Sequence, residues 1–249
     1  MLLNKKWLKT LGAVLFWIAL WHFASVVVDS EFLLPSPMTT VKTLFSMAGT
    51  KKFWMSVALS ISRIVAGFLL ALVLGSLCGI ISAHVKWFSD LFSPLLHVIR
   101  SVPVASFIIL VLVWLKTNNI PIFISFLMVF PMFWDRMQSA FDSVDKKLLE
   151  LCHVMRVPFG EKLRAVYLPA VIPALRGVCI TGIGFAWKSG VAAEVICKPQ
   201  SALGTLLSNG KTALETPEVF AVTLVIVILS IVFDSVLKKV WRAKDVKDQ

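Results

Sequence analysis

Charge is scarce in this sequence. Only 16% of its 249 residues are Asp, Glu, Lys or Arg, while 58% are hydrophobic and the mean hydropathy is +0.85. A soluble domain of that balance would expose large apolar patches, so a soluble globule is excluded. Strand-type alternation is also missing, which disfavours an outer-membrane barrel and leaves an all-α polytopic membrane protein. The four cysteines, Cys78, Cys152, Cys179 and Cys197, form no CxxC or metal spacing and no disulfide framework. The four histidines are dispersed, and none shares a helix face with a second ligand at metal-binding spacing. No G-x-S-x-G occurs, so no constellation supports an intramembrane enzyme. Linkers, low-complexity tracts and a second soluble domain are absent, and residues 1–249 read as a single transmembrane domain. No inverted repeat relates the first three spans to the last three, as it does in many secondary transporters.

One apparent site is a decoy. Gly204 to Thr212 reads GTLLSNGKT, with five residues between the glycines where a phosphate-binding P-loop has four. That motif works by aiming backbone N–H groups and one Lys at phosphates, so loop length matters. No strand precedes it, and no nucleotide site is assigned to this chain.

What is present is a series of apolar runs. Six spans are expected at about 11–28, 56–83, 91–115, 120–134, 171–195 and 217–237. The first follows a basic start, as a signal peptide would, but no small-x-small cleavage site follows it, so it reads as a retained span. A short amphipathic helix is expected from Met38 to about Ala48. The fourth span is short and is expected to continue past Pro131. The second carries Gly67, Ala71, Gly75, Gly79 and Ala83 at every fourth residue, a stripe that permits close approach of another helix, expected to be a span of the same chain.

Six spans place both termini on one side. Fifteen Lys and Arg fall on the termini and even-numbered connections, against six on the odd-numbered ones. Cytoplasmic loops gather Lys and Arg, so the termini and the long connection 142–169 are expected in the cytoplasm. The net charge of +11 fits that rule without nucleic acid, since no basic recognition helix appears.

That long connection organises the chain. Val144, Leu148, Leu151, Met155 and Phe159 recur at steps of three or four, one face of a helix. Pro158 and Gly160 break it, and a second short helical run ends at Pro169. An apolar ridge with a charged rim suits a partner's groove or the lipid interface, and the pattern alone fits both.

In the fifth span Lys188 lies five residues past residue 183, roughly 7.5 Å toward the outer side. Gly177, Thr181, Gly184 and Lys188 share one stripe, small and polar as a solute path or a tight helix contact would be. Lys188 either faces a cavity or carries its amine outward along its methylene stem. Glu194 lies about 120° further around, so the two do not pair within the helix.

Residues 150–169 resemble the "EAA" loop of ABC-importer permeases: E-A-A, three residues, G, nine residues, I, one residue, L-P. Glu150, Leu151 and Cys152 take the first slot, Arg156 stands where the glycine belongs, and Val166, Tyr167, Leu168 and Pro169 follow without a gap. The resemblance implies a coupling helix that docks on an ATP-hydrolysing subunit, with Met155 on its ridge. Glycine at position 156 would serve a backbone with positive φ, which costs a residue with a Cβ about 1 kcal/mol or more. Either Gly160 takes over the turn or the helix continues before bending.

The wider sequence resembles the nitrate/sulfonate/taurine-type permeases. Leu34-Pro35-Ser36-Pro37 is similar to their LPSP element, and Arg100 to Pro103 to their R-x-x-P. Phe130-Pro131, Asp145, Ala186-Trp187, Ala193-Glu194 and Gly204 are similar to later family positions. Ile109 replaces a family proline, Lys116 a glycine, and Lys188 an uncharged residue. The resemblance implies a type I importer permease fold in the bacterial inner membrane. It also implies a second permease subunit, expected to be identical, two cytoplasmic ATPases and an extracytoplasmic binding protein. ATP and Mg would act on the ATPases, with no cofactor or metal in this chain. Arg100, Thr181, Lys188 and Glu194 are the expected path residues. The solutes implied are small anions or heterocycles. The rival from another class is an ATP-independent carrier or channel, which would need mid-membrane carboxylates or broken helices.

Overall fold

A computed structural model describes residues 2–245 of the chain; Lys247 of the basic tail lies outside the described residues. Among them every regular element is a helix. The order is α1 (Leu2–Val28), α2 (Pro37–Ala48), α3 (Lys51–His84), α4 (Lys86–Ser101), α5 (Val104–Val111), α6 (Ile120–Asp142), α7 (Lys146–Val154) and α8 (Phe159–Lys162). A π-helical turn, Leu163–Tyr167, leads into α9 (Leu168–Cys197), α10 (Leu203–Thr212) and α11 (Thr216–Asp245). Five helices are long and apolar enough to cross a membrane, and the bent pair α4–α5 makes six.

Local chemistry sets the boundaries. Ser36 accepts the Thr39 N–H at 3.1 Å and Pro37 follows it, so α2 starts on a side-chain cap with a proline in its first turn. Thr50 caps α3 in the same way through the Phe53 N–H. The fourth span continues through the buried Pro131 to Asp142.

The third span departs from the expected single helix over 91–115. It is two helices bent by 104° at Val102–Pro103. Pro103 has no N–H to continue the ladder, and its ring forces Val102 out of the helical region, to φ −81°, ψ 131°. The fifth span departs in the other direction. Pro169 was expected to end a short helix, yet helix runs from Phe159 to Cys197. The π turn is the reason: the Leu168 N–H reaches back five residues to the Leu163 carbonyl oxygen, and Pro169 falls in the first turn of α9, where its missing N–H costs least.

The core lies where α3, α6 and α9 meet. Ile64, Ala71, Val129, Phe133, Ala186 and Trp187 are buried there. The stripe on α3 lies against α6. A Cβ on Gly75 would sit 2.8 Å from both the Phe130 carbonyl oxygen and the Phe133 Cβ, and Gly67 and Gly79 meet the Ile122 and Trp134 carbonyl oxygens in the same way. Trp187 fixes α9 to α11, its indole N–H donating to the Ile226 carbonyl oxygen at 3.1 Å. Near its end α1 meets the rest of the molecule, where the Trp21 indole donates to the Pro35 carbonyl oxygen and stacks on Phe220.

These contacts sort the helix ends. The end of α1, the start of α3 and the start of α11 gather on one side, where the Thr216 hydroxyl donates to the Phe32 carbonyl oxygen at 2.6 Å. The ends of α3 and α6 gather on the other, where His84, Phe141 and Tyr167 cluster, the last two stacked 5.0 Å apart. The connection 142–169 hangs from that second side.

Candidate functional site: a docking turn and a broken span

The turn begins at Asp145, whose carboxylate accepts the Lys147 N–H at 2.9 Å and caps α7. Leu151 and Met155 stand exposed with Val154 and Phe159, the latter two 79% and 74% accessible. Val144 does not join them; it is buried at the root of the turn. Glu150 is exposed on α7, Cys152 half-buried behind the ridge. Val166 is half-buried on the π turn, and Leu168 and Pro169 are exposed at the start of α9.

Neither alternative foreseen for Arg156 occurs. Arg156 itself takes the left-handed conformation, at φ 51°, and Gly160 is helical with negative φ. The Val157 N–H donates to the Cys152 carbonyl oxygen at 2.9 Å and the Arg156 N–H to the His153 carbonyl oxygen at 3.1 Å. That paired closure is the Schellman ending of a helix, in which glycine usually holds the position of Arg156. The hydrogen bonds hold the turn despite the Cβ.

The anchoring of the turn was not read from sequence. Tyr167 stacks on Phe141 and meets His84, tying the π turn to α6 and α3. These rings pack the π turn at the start of α9 against the ends of α3 and α6. Spacing in sequence gives no hint of this, because the three residues come from distant segments.

The expected path residues separate into two places. Thr181 and Lys188 are exposed on one face of α9; the Thr181 hydroxyl donates back to the Gly177 carbonyl oxygen at 3.1 Å. Phe185 lies between them and lines a cavity of about 510 Å³ at the break of the third span, with Arg100, Pro103, Met128 and Met132. Arg100 forms an ion pair there with Asp135 of α6. Asp135 was missed because the fourth span was ended at Trp134; a lone carboxylate after an apolar run was the available signal.

Glu194 is elsewhere, and its grouping with the path residues is corrected. Its side chain is wholly buried between α3, α9 and α10. Its carboxylate accepts the Ser60 hydroxyl at 2.7 Å and the Gly204 N–H at 3.2 Å, while Ser60 accepts the Leu203 N–H at 2.9 Å. Ala202, the residue before α10, has no capping side chain, so Ser60 and Glu194 cap that helix from other segments. Arg63 lies 3.8 Å from the second carboxylate oxygen and donates to the Gln200 and Ser201 carbonyl oxygens. Gly204 is needed for this approach, since a Cβ there would sit 2.5 Å from the Glu194 Cβ. The GTLLSNGKT segment is thus a capped helix rather than a loop open to phosphate. Among the described residues, no three His, Cys, Asp or Glu gather as metal ligands.

The chain is 27% identical to a protein of Bacillus subtilis named as an aliphatic sulfonates transport permease, over 95% of this chain and 86% of the relative. It is 24% identical to the taurine transport system permease protein of Escherichia coli, over 89% and 82%. It is 23% identical to the nitrate import permease protein of Synechococcus elongatus, over 79% and 74%. Residues 71–243, from the small-residue stripe through the connection 142–169 to the last span, match the family described as "Binding-protein-dependent transport system inner membrane component". The chain belongs to that family: it is the multi-pass membrane permease of an ABC importer.

Proposed function

We propose that two copies of this chain form the path of an importer for a small solute carrying an anionic or acceptor-rich group, driven through the docking turn by two cytoplasmic ATPases. The exposed ridge of Leu151, Val154, Met155 and Phe159 carries this reading, because a soluble loop gains nothing from exposing four large apolar side chains unless a partner covers them. Glu150 and Arg156 supply charge at the rim, and Val166, Leu168 and Pro169 join the turn to α9. The excess of Lys and Arg on the same side supports a cytoplasmic position for the turn and both termini.

In this reading ATP and Mg²⁺ are bound by the ATPases, and this chain contributes movement instead of catalysis. An extracytoplasmic binding protein delivers solute to the opposite side. Closure of the ATPases moves α7, and the Phe141–Tyr167–His84 cluster carries the motion into α3, α6 and α9. Arg100 and the exposed face of Thr181 and Lys188 line the path. The solutes in the relatives' names, sulfonates, taurine and nitrate, all carry an anionic group, which fits the lysine on that face and the arginine at the break of the third span.

The test is Glu150→Ala in the complex with its ATPase. Membrane insertion should be normal, and either co-purification with the ATPase or the coupling of hydrolysis to uptake should fall. Wild-type assembly together with wild-type coupling would remove Glu150 from the docking role.

A further inference from the structure

The ion pair at the break of the third span is placed as a binding element. Arg100 lies in the last turn of α4, two residues before the bend, and Asp135 sits on α6 one turn beyond Pro131. Neither is sealed: their side chains remain 42% and 46% accessible. The pair stands on the shared wall of two cavities. One, of about 510 Å³, has mostly apolar walls, among them Ile99, Met128, Met132 and Phe185. The other, of about 260 Å³, is polar and includes Ser89, Ser93, His97 and Gln138. Gln138 is held by donating to the Ser89 hydroxyl at 3.2 Å.

We propose that Arg100 and Asp135 form a two-point site for a compact zwitterion, the anionic group of the solute taking the guanidinium and its ammonium group taking the carboxylate. This rests on the import reading and names the solute class at that site. The argument is one of charge pairing. Beside the mostly apolar walls of the larger cavity a charge that loses its partner is disfavoured, by the modest amount expected of a half-exposed pair. A solute bearing only an anion would displace Asp135 from Arg100 and leave that carboxylate unpaired beside it. A solute bearing only a cation would strand Arg100 in the same way. A dipolar solute of the right span inserts between the two and leaves every charge matched. The cavity already touches both groups, and its apolar walls suit the carbon spacer that joins such a solute's charges. Insertion also unties the last turn of α4 from α6 beside the Val102–Pro103 bend, so occupancy is felt at the sharp break of the third span.

The experiment uses the complete importer, with its own ATPase and binding protein, in proteoliposomes. The probes are taurine, which has both charges, and ethanesulfonate, the same skeleton without the ammonium group. A site built to pair a polar group discriminates against the analogue lacking it, and for a half-exposed pair the wild type should carry taurine about fivefold faster. Asp135→Asn should collapse that ratio by losing taurine and sparing ethanesulfonate, and Arg100→Gln should lose both. If Asp135→Asn does not assemble, Asp135→Glu keeps the charge but moves it by one methylene, and should lower taurine uptake with ethanesulfonate unchanged. A pair that merely braces two helices would change both probes in parallel and recover in the double variant Arg100→Asp/Asp135→Arg. Parallel loss of the two probes, a wild type that does not discriminate, or one that carries neither overturns the proposal. The import reading is scored separately in the same vesicles, by ATP-dependent uptake of nitrate or another anion: such uptake without discrimination sinks the zwitterion site and leaves the importer standing.

Discussion

Replacing Gly75 with alanine should loosen the contact of α3 with α6, whereas the same replacement at Gly12 should not. Both glycines lie inside apolar helices, so in each case alanine gains about 1 kcal/mol of intrinsic helix preference. At Gly12 the new methyl group meets nothing within 4 Å. At Gly75 it would lie 2.8 Å from the Phe130 carbonyl oxygen and 2.8 Å from the Phe133 Cβ, and ordinary contact begins at 3.4 Å. Neither neighbour is the tip of a flexible side chain, so α6 must move by about 0.6 Å along this face. A gap of 0.5–1 Å forfeits roughly a quarter to a half of each dispersion contact of ~0.15 kcal/mol, which over ~40 atom pairs is about 2 kcal/mol. That lies within the cost of about 1–3 kcal/mol for overpacking a dense interior. Gly75→Ala should therefore be about 1 kcal/mol less stable than wild type and Gly12→Ala up to about 1 kcal/mol more stable. Unfolding in mixed micelles, followed by the fluorescence of the nine tryptophans, measures the difference. Gly75→Leu, with three more carbons against α6, should prevent assembly of the complex. Equal midpoints for the two alanine variants, or a more stable Gly75→Ala, would refute the close approach of α3 and α6.

Glu194→Ala should cost about 1–3 kcal/mol, because it leaves the buried Gly204 N–H without an acceptor; Glu194→Gln keeps an oxygen there and should cost less, as thermal unfolding of the purified permease would report. Arg156→Gly should relieve about 1 kcal/mol of left-handed strain and keep hydrolysis coupled to uptake. Arg156→Val should fray the end of α7 and uncouple them, read as ATP consumed per solute imported. Lys188→Met should abolish uptake while the complex still assembles, and Lys188→Arg should restore part of it. Normal uptake by the Met variant would make Lys188 a bystander that reaches toward the headgroups.

Composition and periodicity were enough to settle the class of this protein. Long apolar runs must be helical in lipid, because each backbone group has to be paired within its own segment. The proline pairs, the small-residue stripe and the spaced motif from Glu150 to Pro169 are local signals, and they located helix starts, a close-packed face and the exposed helical turn. What the chain could not disclose from its order alone were the relations between segments. Pro103 announces a disruption, but the 104° bend depends on how α4 and α5 pack on α6 and α9. Pro169 reads as a helix end, and only the π turn held by Tyr167, Phe141 and His84 lets the helix pass through it. Glu194 looks like a path carboxylate until Ser60, 134 residues away, and Gly204 are seen to occupy it. Arg100 is legible as a charge in an apolar span, but its meaning depends on Asp135, and that pairing exists only because the α4 bend and α6 bring the two together. Local backbone preferences act over a few residues and can be read in order, whereas charge pairing and close approach are decided by which distant segments the fold makes neighbours.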